Sequence, residues 1–130
     1  MRKALLSELR EWKDLERERG FRLVIIFVPD VYQLDGNRRN LQADYYAIEQ
    51  SRLDPLLPNR LLSDCLVDLE VPYIDPTEEM MGLPDIAECY FVHDNHFTVK
   101  GHVRFAEAIG DKIRHMIGMT TAEVDEGGAS

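Results

Sequence analysis

Apolar positions recur along this chain in two different periods, and the switch between them marks out the elements. Leu5, Leu9, Trp12 and Leu15 fall at helical spacing on a segment otherwise dense in Arg, Lys and Glu. This predicts a surface-covering helix, with Gly20 as its stop. Residues 23–28 follow as an uninterrupted apolar run rich in β-branched side chains, the pattern of a central strand buried on both faces of a parallel sheet. Residues 40–50 carry weaker helical character, with Leu41, Tyr45 and Ile48 on one face. Pro58 suits the first turn of a helix bearing Leu61, Leu62, Cys65, Leu66 and Leu69, after which residues 71–75 read as a second strand. Cys89 to Val92 can form a short extended piece. Thr98 reads as the N-cap of a last helix, because Val99, Val103, Ala106, Ile109, Ile113 and Ile117 make one apolar stripe behind it. The order is therefore helix, strand, helix, helix, strand, loop, helix. From Ala122 onward small and acidic residues without periodicity predict a flexible tail, so one α/β domain over residues 1–117 is expected, followed by a tail over 118–130.

Two strands and a short extended piece cannot close a doubly covered sheet. An open edge is expected, completed by a preceding segment, a partner or a second copy, and with it a strand other than 71–75 beside residues 23–28. The first helix adds to this expectation: Met1-Arg2-Lys3-Ala4 offers no capping side chain and sets positive charge at the positive end of the helix dipole. A chain cut within a helix or linker has this look.

Composition narrows the partners. With 45% hydrophobic and 30% charged residues, the 130-residue chain has material for one core. Its formal net charge of −9, with no Lys/Arg cluster free of acidic neighbours, argues against nucleic acid. No apolar run approaches the roughly 20 residues of a membrane span, and the N-terminal pattern is not that of a signal peptide, so a cytoplasmic location is expected for the chain as written. Cys65 and Cys89, far apart in sequence, read as reduced buried residues rather than a bridge.

Three of the four histidines stand in His93-Asp94-Asn95-His96-Phe97-Thr98-Val99-Lys100-Gly101-His102. Side chains alternate along an extended segment, so Asp94 and His96 project to the same side and can hydrogen-bond, as a carboxylate orients an imidazole in a hydrolytic triad. The helix N-terminus that follows disfavours imidazolium while a carboxylate favours it, an opposition suited to a general base. His93, His96, His102 and Asp94 are a weaker candidate zinc set, because His93 and His96 point to opposite sides and no Cys or Glu completes a standard spacing. His102 reads as a packing residue and Gly101 as a point of close backbone approach. Asp30 and Asp75 end the two strands at what would be the carboxyl edge of the sheet, where open α/β sheets place their sites, although Asp at such positions more often caps the next loop.

The motif Asp94-x-His96-Phe97-Thr98-x-x-Gly101-His102 before an amphipathic helix resembles the last conserved block of SGNH (GDSL-like) hydrolases, in the Asp-x-His variant found among carbohydrate O-acetyl esterases and transferases. Leu23 to Pro29 resembles a late core strand of that family ending in proline, and Val71 to Asp75 the short strand ending in Asp. The resemblance spans residues 1–117 and implies a partial three-layer α/β/α parallel sheet. It also implies His96 and Asp94 as the His and Asp of a Ser-His-Asp triad, an acyl ester or acylated carbohydrate as substrate, and no cofactor or metal. The Gly-Asp-Ser nucleophile block and the oxyanion-hole blocks of the family do not stand in this chain. Ser7, Ser51, Ser63 and Ser130 lack the strand-to-helix turn of a nucleophile, and Asp35-Gly36-Asn37 reads as a turn. The chain thus resembles the C-terminal half of the fold. A non-catalytic assembly module derived from that half is the competing expectation.

Overall fold

The computed structural model describes residues 2–118 and is a mostly helical domain around a two-stranded parallel sheet. The expected tail lies, but for Gly118, outside the described residues. Helix α1 spans Arg2–Arg19 and ends where Gly20, at φ +73°, donates its N–H to the Glu16 carbonyl, a turn that only glycine enters without strain. Strand β1 covers Ile25–Ile26, α2 Val31–Leu34, α3 Gly36–Tyr45, α4 Leu57–Asp68, β2 Tyr73–Ile74, α5 Thr77–Met81 and α6 Val99–Met116, with 3₁₀ turns at Gln50–Arg52 and Ile86–Glu88. Pro58 sits in the first turn of α4, where its missing N–H costs no hydrogen bond.

The sheet differs from its expectation in three ways. Only two residues of the run 23–28 adopt strand structure, because only two backbone partners are supplied. Those partners lie in β2: Ile25 faces Tyr73 and Ile26 faces Ile74 in parallel register, so the expected pairing with some other strand is not what this chain adopts. Burial, finally, is one-sided. Ile25, Phe27 and Tyr73 pack with Leu9 of α1 and with Cys65 and Leu66 of α4, whereas Ile26 is 36% and Val28 65% exposed. Alternation along the strand puts those two on the opposite face, where no helix of the described residues covers them. The piece around Cys89–Val92 is an isolated antiparallel bridge between Tyr90 and Phe97, not a third strand.

A second core cluster joins Val31 and Leu34 of α2, Met80 of α5, Cys89, Tyr90 and Ala108 of α6, with Phe97 and Phe105 packed against it. Both cysteines are buried and unbridged, one in each cluster. The short helices are held by their ends. Asp30 accepts from the Tyr32 N–H at 2.8 Å while the Gln33 side chain returns to the Asp30 N–H at 2.9 Å, a capping box that lets four residues hold helical form. Asp35 accepts from the Asn37 and Arg38 N–H groups, so Asp35-Gly36-Asn37 opens a helix instead of making a free turn.

The apolar stripe of α6 is the largest departure from the sequence reading. Gly101 and Ala108 are its buried residues and Phe105 leans into the core, while Val99 is 83%, Val103 51% and Ile117 54% exposed. Of the stripe read from the sequence, Val99, Val103, Ala106 and Ile117 are exposed on the side away from the packed face, and Ile109 and Ile113 are half-buried. The Leu41, Tyr45 and Ile48 side chains of the α3 region are likewise exposed.

The candidate Asp94–His96 site

The loop that carries Asp94 and His96 is held at both ends. Before it, Tyr90 is buried and donates its hydroxyl to the Pro29 carbonyl, which ties the loop base to the end of β1; burial pushes that hydroxyl's pKa up. Across it, the Phe91 N–H donates to the His96 carbonyl at 3.1 Å and the Thr98 N–H to the Cys89 carbonyl at 2.9 Å. Phe97, the aromatic residue of the motif, turns inward and packs on Tyr90 at 4.7 Å and Phe105 at 5.4 Å between ring centroids. That inward turn of Phe97 sends His96, its neighbour, outward.

Thr98 then starts α6. Its hydroxyl accepts from the Gly101 N–H at 3.2 Å and donates to the Glu88 carbonyl at 2.7 Å. Gly101 makes the close approach possible: a Cβ built there would lie 2.0 Å from the Cys89 carbonyl oxygen and 2.8 Å from a Phe97 ring carbon. On the far side of the same turn, Asp85 takes charge-assisted hydrogen bonds from Arg104 at 2.9 Å and Lys100 at 2.9 Å. The Lys100 ammonium, then the Arg104 guanidinium, hold the Asp85 carboxyl down to about 2, although its Oδ1 is buried without a partner. This long-range anchor could not be read from sequence, since Asp85 and Arg104 stand in different local patterns.

Within the loop, His96 Nδ1 and the Asp94 carboxylate are hydrogen-bonded, and the His96 backbone N–H donates to the same carboxylate oxygen at 3.1 Å. The His96 side chain, then its backbone, hold the Asp94 carboxyl below the usual carboxylate range. Because Nδ1 is engaged, Nε2 is the ring nitrogen left to exchange a proton with something else. The His96 side chain is 84% exposed and that nitrogen has no hydrogen-bond partner among the described residues. In chemical terms this is an oriented base facing open space.

Beside it runs a groove of about 510 Å³ between the loop and α3, lined by His93, Asp94 and Asn95 on one side and by Arg38, Tyr45 and Tyr46 on the other. No serine lines it. Ser63 in α4 donates to the Arg60 carbonyl at 3.0 Å, Ser51 donates to Glu49 at 2.7 Å, and Ser7 is exposed on α1. Cys89 lies close to the loop, but it is buried, and that burial pushes its thiol pKa up.

The other residues of the sequence analysis take structural positions. His102 meets Phe97 edge-on at 5.5 Å. Asp30 caps α2, and Asp75 accepts from the Thr77 N–H at 3.0 Å and the Asn59 amide at 2.8 Å; Asn59 in turn accepts from Gln33 at 2.6 Å. That chain links the carboxyl ends of β1 and β2 as a satisfied network. Among the described residues, no group of three or more His, Cys, Asp or Glu is placed to hold a metal ion. No helix of the described residues is long and apolar enough to cross a membrane. Comparison with family models, curated proteins and solved structures finds no match to this chain.

Proposed function

We propose that this chain carries the Asp–His half of a Ser-His-Asp ester hydrolase or O-acyl transferase of SGNH type, on a partial three-layer α/β/α fold whose nucleophile another segment or partner supplies. The observation that carries the reading is the hydrogen bond from His96 Nδ1 to Asp94 on a loop immediately ahead of α6. A carboxylate on Nδ1 fixes the tautomer that leaves Nε2 unprotonated, and Nε2 can then take the proton of a serine hydroxyl as it attacks an acyl carbon. The same proton passes from Nε2 to the departing alkoxide, and Asp94 stabilises the imidazolium in between. An acylated carbohydrate suits the groove beside Asp94, where Tyr45 and Tyr46 offer aromatic faces and Arg38, Asn95 and His93 offer polar groups.

A second reading has its own observation. Ile26 and Val28 on β1 and the outward stripe of α6 leave apolar surface open, which favours an assembly module that keeps the half-fold without chemistry. Labelling with a fluorophosphonate separates the two. The chain alone should not label. Co-expression with a segment that bears a Gly-Asp-Ser block and completes the sheet should restore labelling at that serine and ester turnover dependent on His96. Labelling of Ser51 or Ser63 in the chain alone would overturn the proposal, and so would a reconstituted enzyme indifferent to His96→Ala.

A further inference from the structure

We infer that two copies of this chain associate through the outward face of α6, with the two helices antiparallel. This inference does not depend on the reading of Asp94 and His96. It starts from the mismatch between the helix's polarity and its packing: the core receives Gly101, Ala108 and part of Phe105, while Val99, Val103, Ala106 and Ile117 are exposed and Ile113 is only half-buried. Val99, Val103, Ala106, Gly110, Ile113 and Ile117 are spaced alternately by four and three residues, which is the a/d seam of a coiled coil rather than the broader face a globular core takes.

The sizes along that seam say what covers it. They run large, large, small, small, large, large, and the order is the same read from either end. Laid antiparallel, Val99 meets the partner's Ile117, Val103 meets the partner's Ile113, and Ala106 meets the partner's Gly110. The small pair lets the axes approach at the centre while the branched side chains fill both ends, an isologous two-fold contact that a second copy satisfies at every layer. The flanking charges oppose it: across the antiparallel seam Lys100 stands beside the partner's Arg114 and Glu107 beside the partner's Glu107. Each is moderated within its own chain, where Lys100 is paired with Asp85 and Glu88, Glu107 with Arg104, and Arg114 with Asp111. On the other flank Ile109 and Met116 are half-buried and extend the apolar strip beside the exposed His102. The net charge of −9 on each copy adds to the repulsion, and salt screens both.

Sedimentation equilibrium of the whole chain, over a range of concentrations and at low and moderate salt, tests this. A monomer–dimer equilibrium that tightens with added salt is expected. Val103→Glu, at an exposed position, should weaken it roughly tenfold or more with an unchanged circular dichroism spectrum, and Ile113→Glu, at a half-buried one, should weaken it by at least as much, because each buries a charge in the seam. Register is read by disulfide formation: a mixture of Val103→Cys and Ile113→Cys chains should cross-link between unlike chains. Val103→Cys alone should not, since the two copies of that position lie about 15 Å apart along the antiparallel axis. A monomer under all conditions, a dimer untouched by both glutamate variants, or cross-linking of Val103→Cys to itself would each overturn the inference. The last two would transfer the contact to another face or to a parallel pair.

Discussion

Gly101 decides how close α6 comes to the loop base, because its missing side chain is what admits the Cys89 carbonyl. A methyl group there would sit 2.0 Å from that oxygen, and the obstacle is backbone, which cannot rotate aside. Gly101→Ala should therefore lower stability by about 1–3 kcal/mol in urea unfolding, in spite of alanine's better helix propensity. A neutral or stabilising result would mean that α6 does not seat as described. Thr98→Ala tests the neighbouring cap and should cost about 1 kcal/mol by the same measurement. Asp85 acts on the same turn through charge. With its carboxyl held down to about 2 by Lys100 and Arg104, it contributes stability that is present above the ordinary carboxylate range and lost as pH falls through about 2. The Lys100 and Arg104 side chains are 39% and 37% exposed, so salt weakens this contribution. Asp85→Asn should flatten the acid side of the stability profile between about pH 4 and pH 2. An unchanged slope would place the anchor of α6 elsewhere.

At the scale of elements, what could be read in advance was what local chemistry decides. Gly20 stops α1, Pro58 starts α4 and Thr98 caps α6. Asp94 and His96 do meet, although across a bend at 94–96 in which the His96 N–H turns back onto Asp94 and not along the extended chain that was expected. None of these depends on a distant neighbour. The four residues of α2 and five of α5 span too little helix to show periodicity; α2 is held by the Asp30 capping box, and α5, which has no capping side chain at Pro76, by the burial of Thr77 and Met80. Tertiary sidedness was illegible for a different reason. Periodicity reports that Val99, Val103 and Ile117 share a stripe, but which side the core occupies depends on the volumes of Phe105 and Gly101 against Cys89 and Tyr90. The run 23–28 misleads in the same way, since apolar composition measures capacity for burial and, among the described residues, β2 and two helices supply it on one face. That asymmetry can be measured. Ile26→Lys and Val28→Lys should change stability by no more than about 0.5 kcal/mol, whereas Phe27→Ala, one residue away and buried, should cost about 3–5 kcal/mol. If Ile26→Lys proves as damaging as Phe27→Ala, the outer face of β1 is covered in solution.

For the molecule as a whole, the question is how much catalysis an oriented imidazole provides when nucleophile and oxyanion donors stand elsewhere. In a complete triad enzyme, loss of the nucleophile still leaves on the order of 10³ to 10⁴ over water, but that remainder comes from the oxyanion hole and substrate binding. His96 and Asp94 alone offer a positioned general base, worth perturbations of order 10². The isolated chain should thus raise the hydrolysis of p-nitrophenyl acetate by no more than about 10²-fold per site. His96→Ala should abolish this increment, and Asp94→Asn should reduce it by removing the acceptor that fixes Nδ1. The titration of Asp94 carries a further constraint. Because the His96 hydrogen bonds keep the Asp94 carboxyl below the usual carboxylate range, an NMR titration of its carboxyl carbon should show a midpoint below that range. A midpoint in the ordinary range would show that Asp94 is not bonded to His96 in solution. Turnover well above the general-base limit that survives His96→Ala would assign the chemistry to a group outside this loop, and the half-triad reading would fall with it.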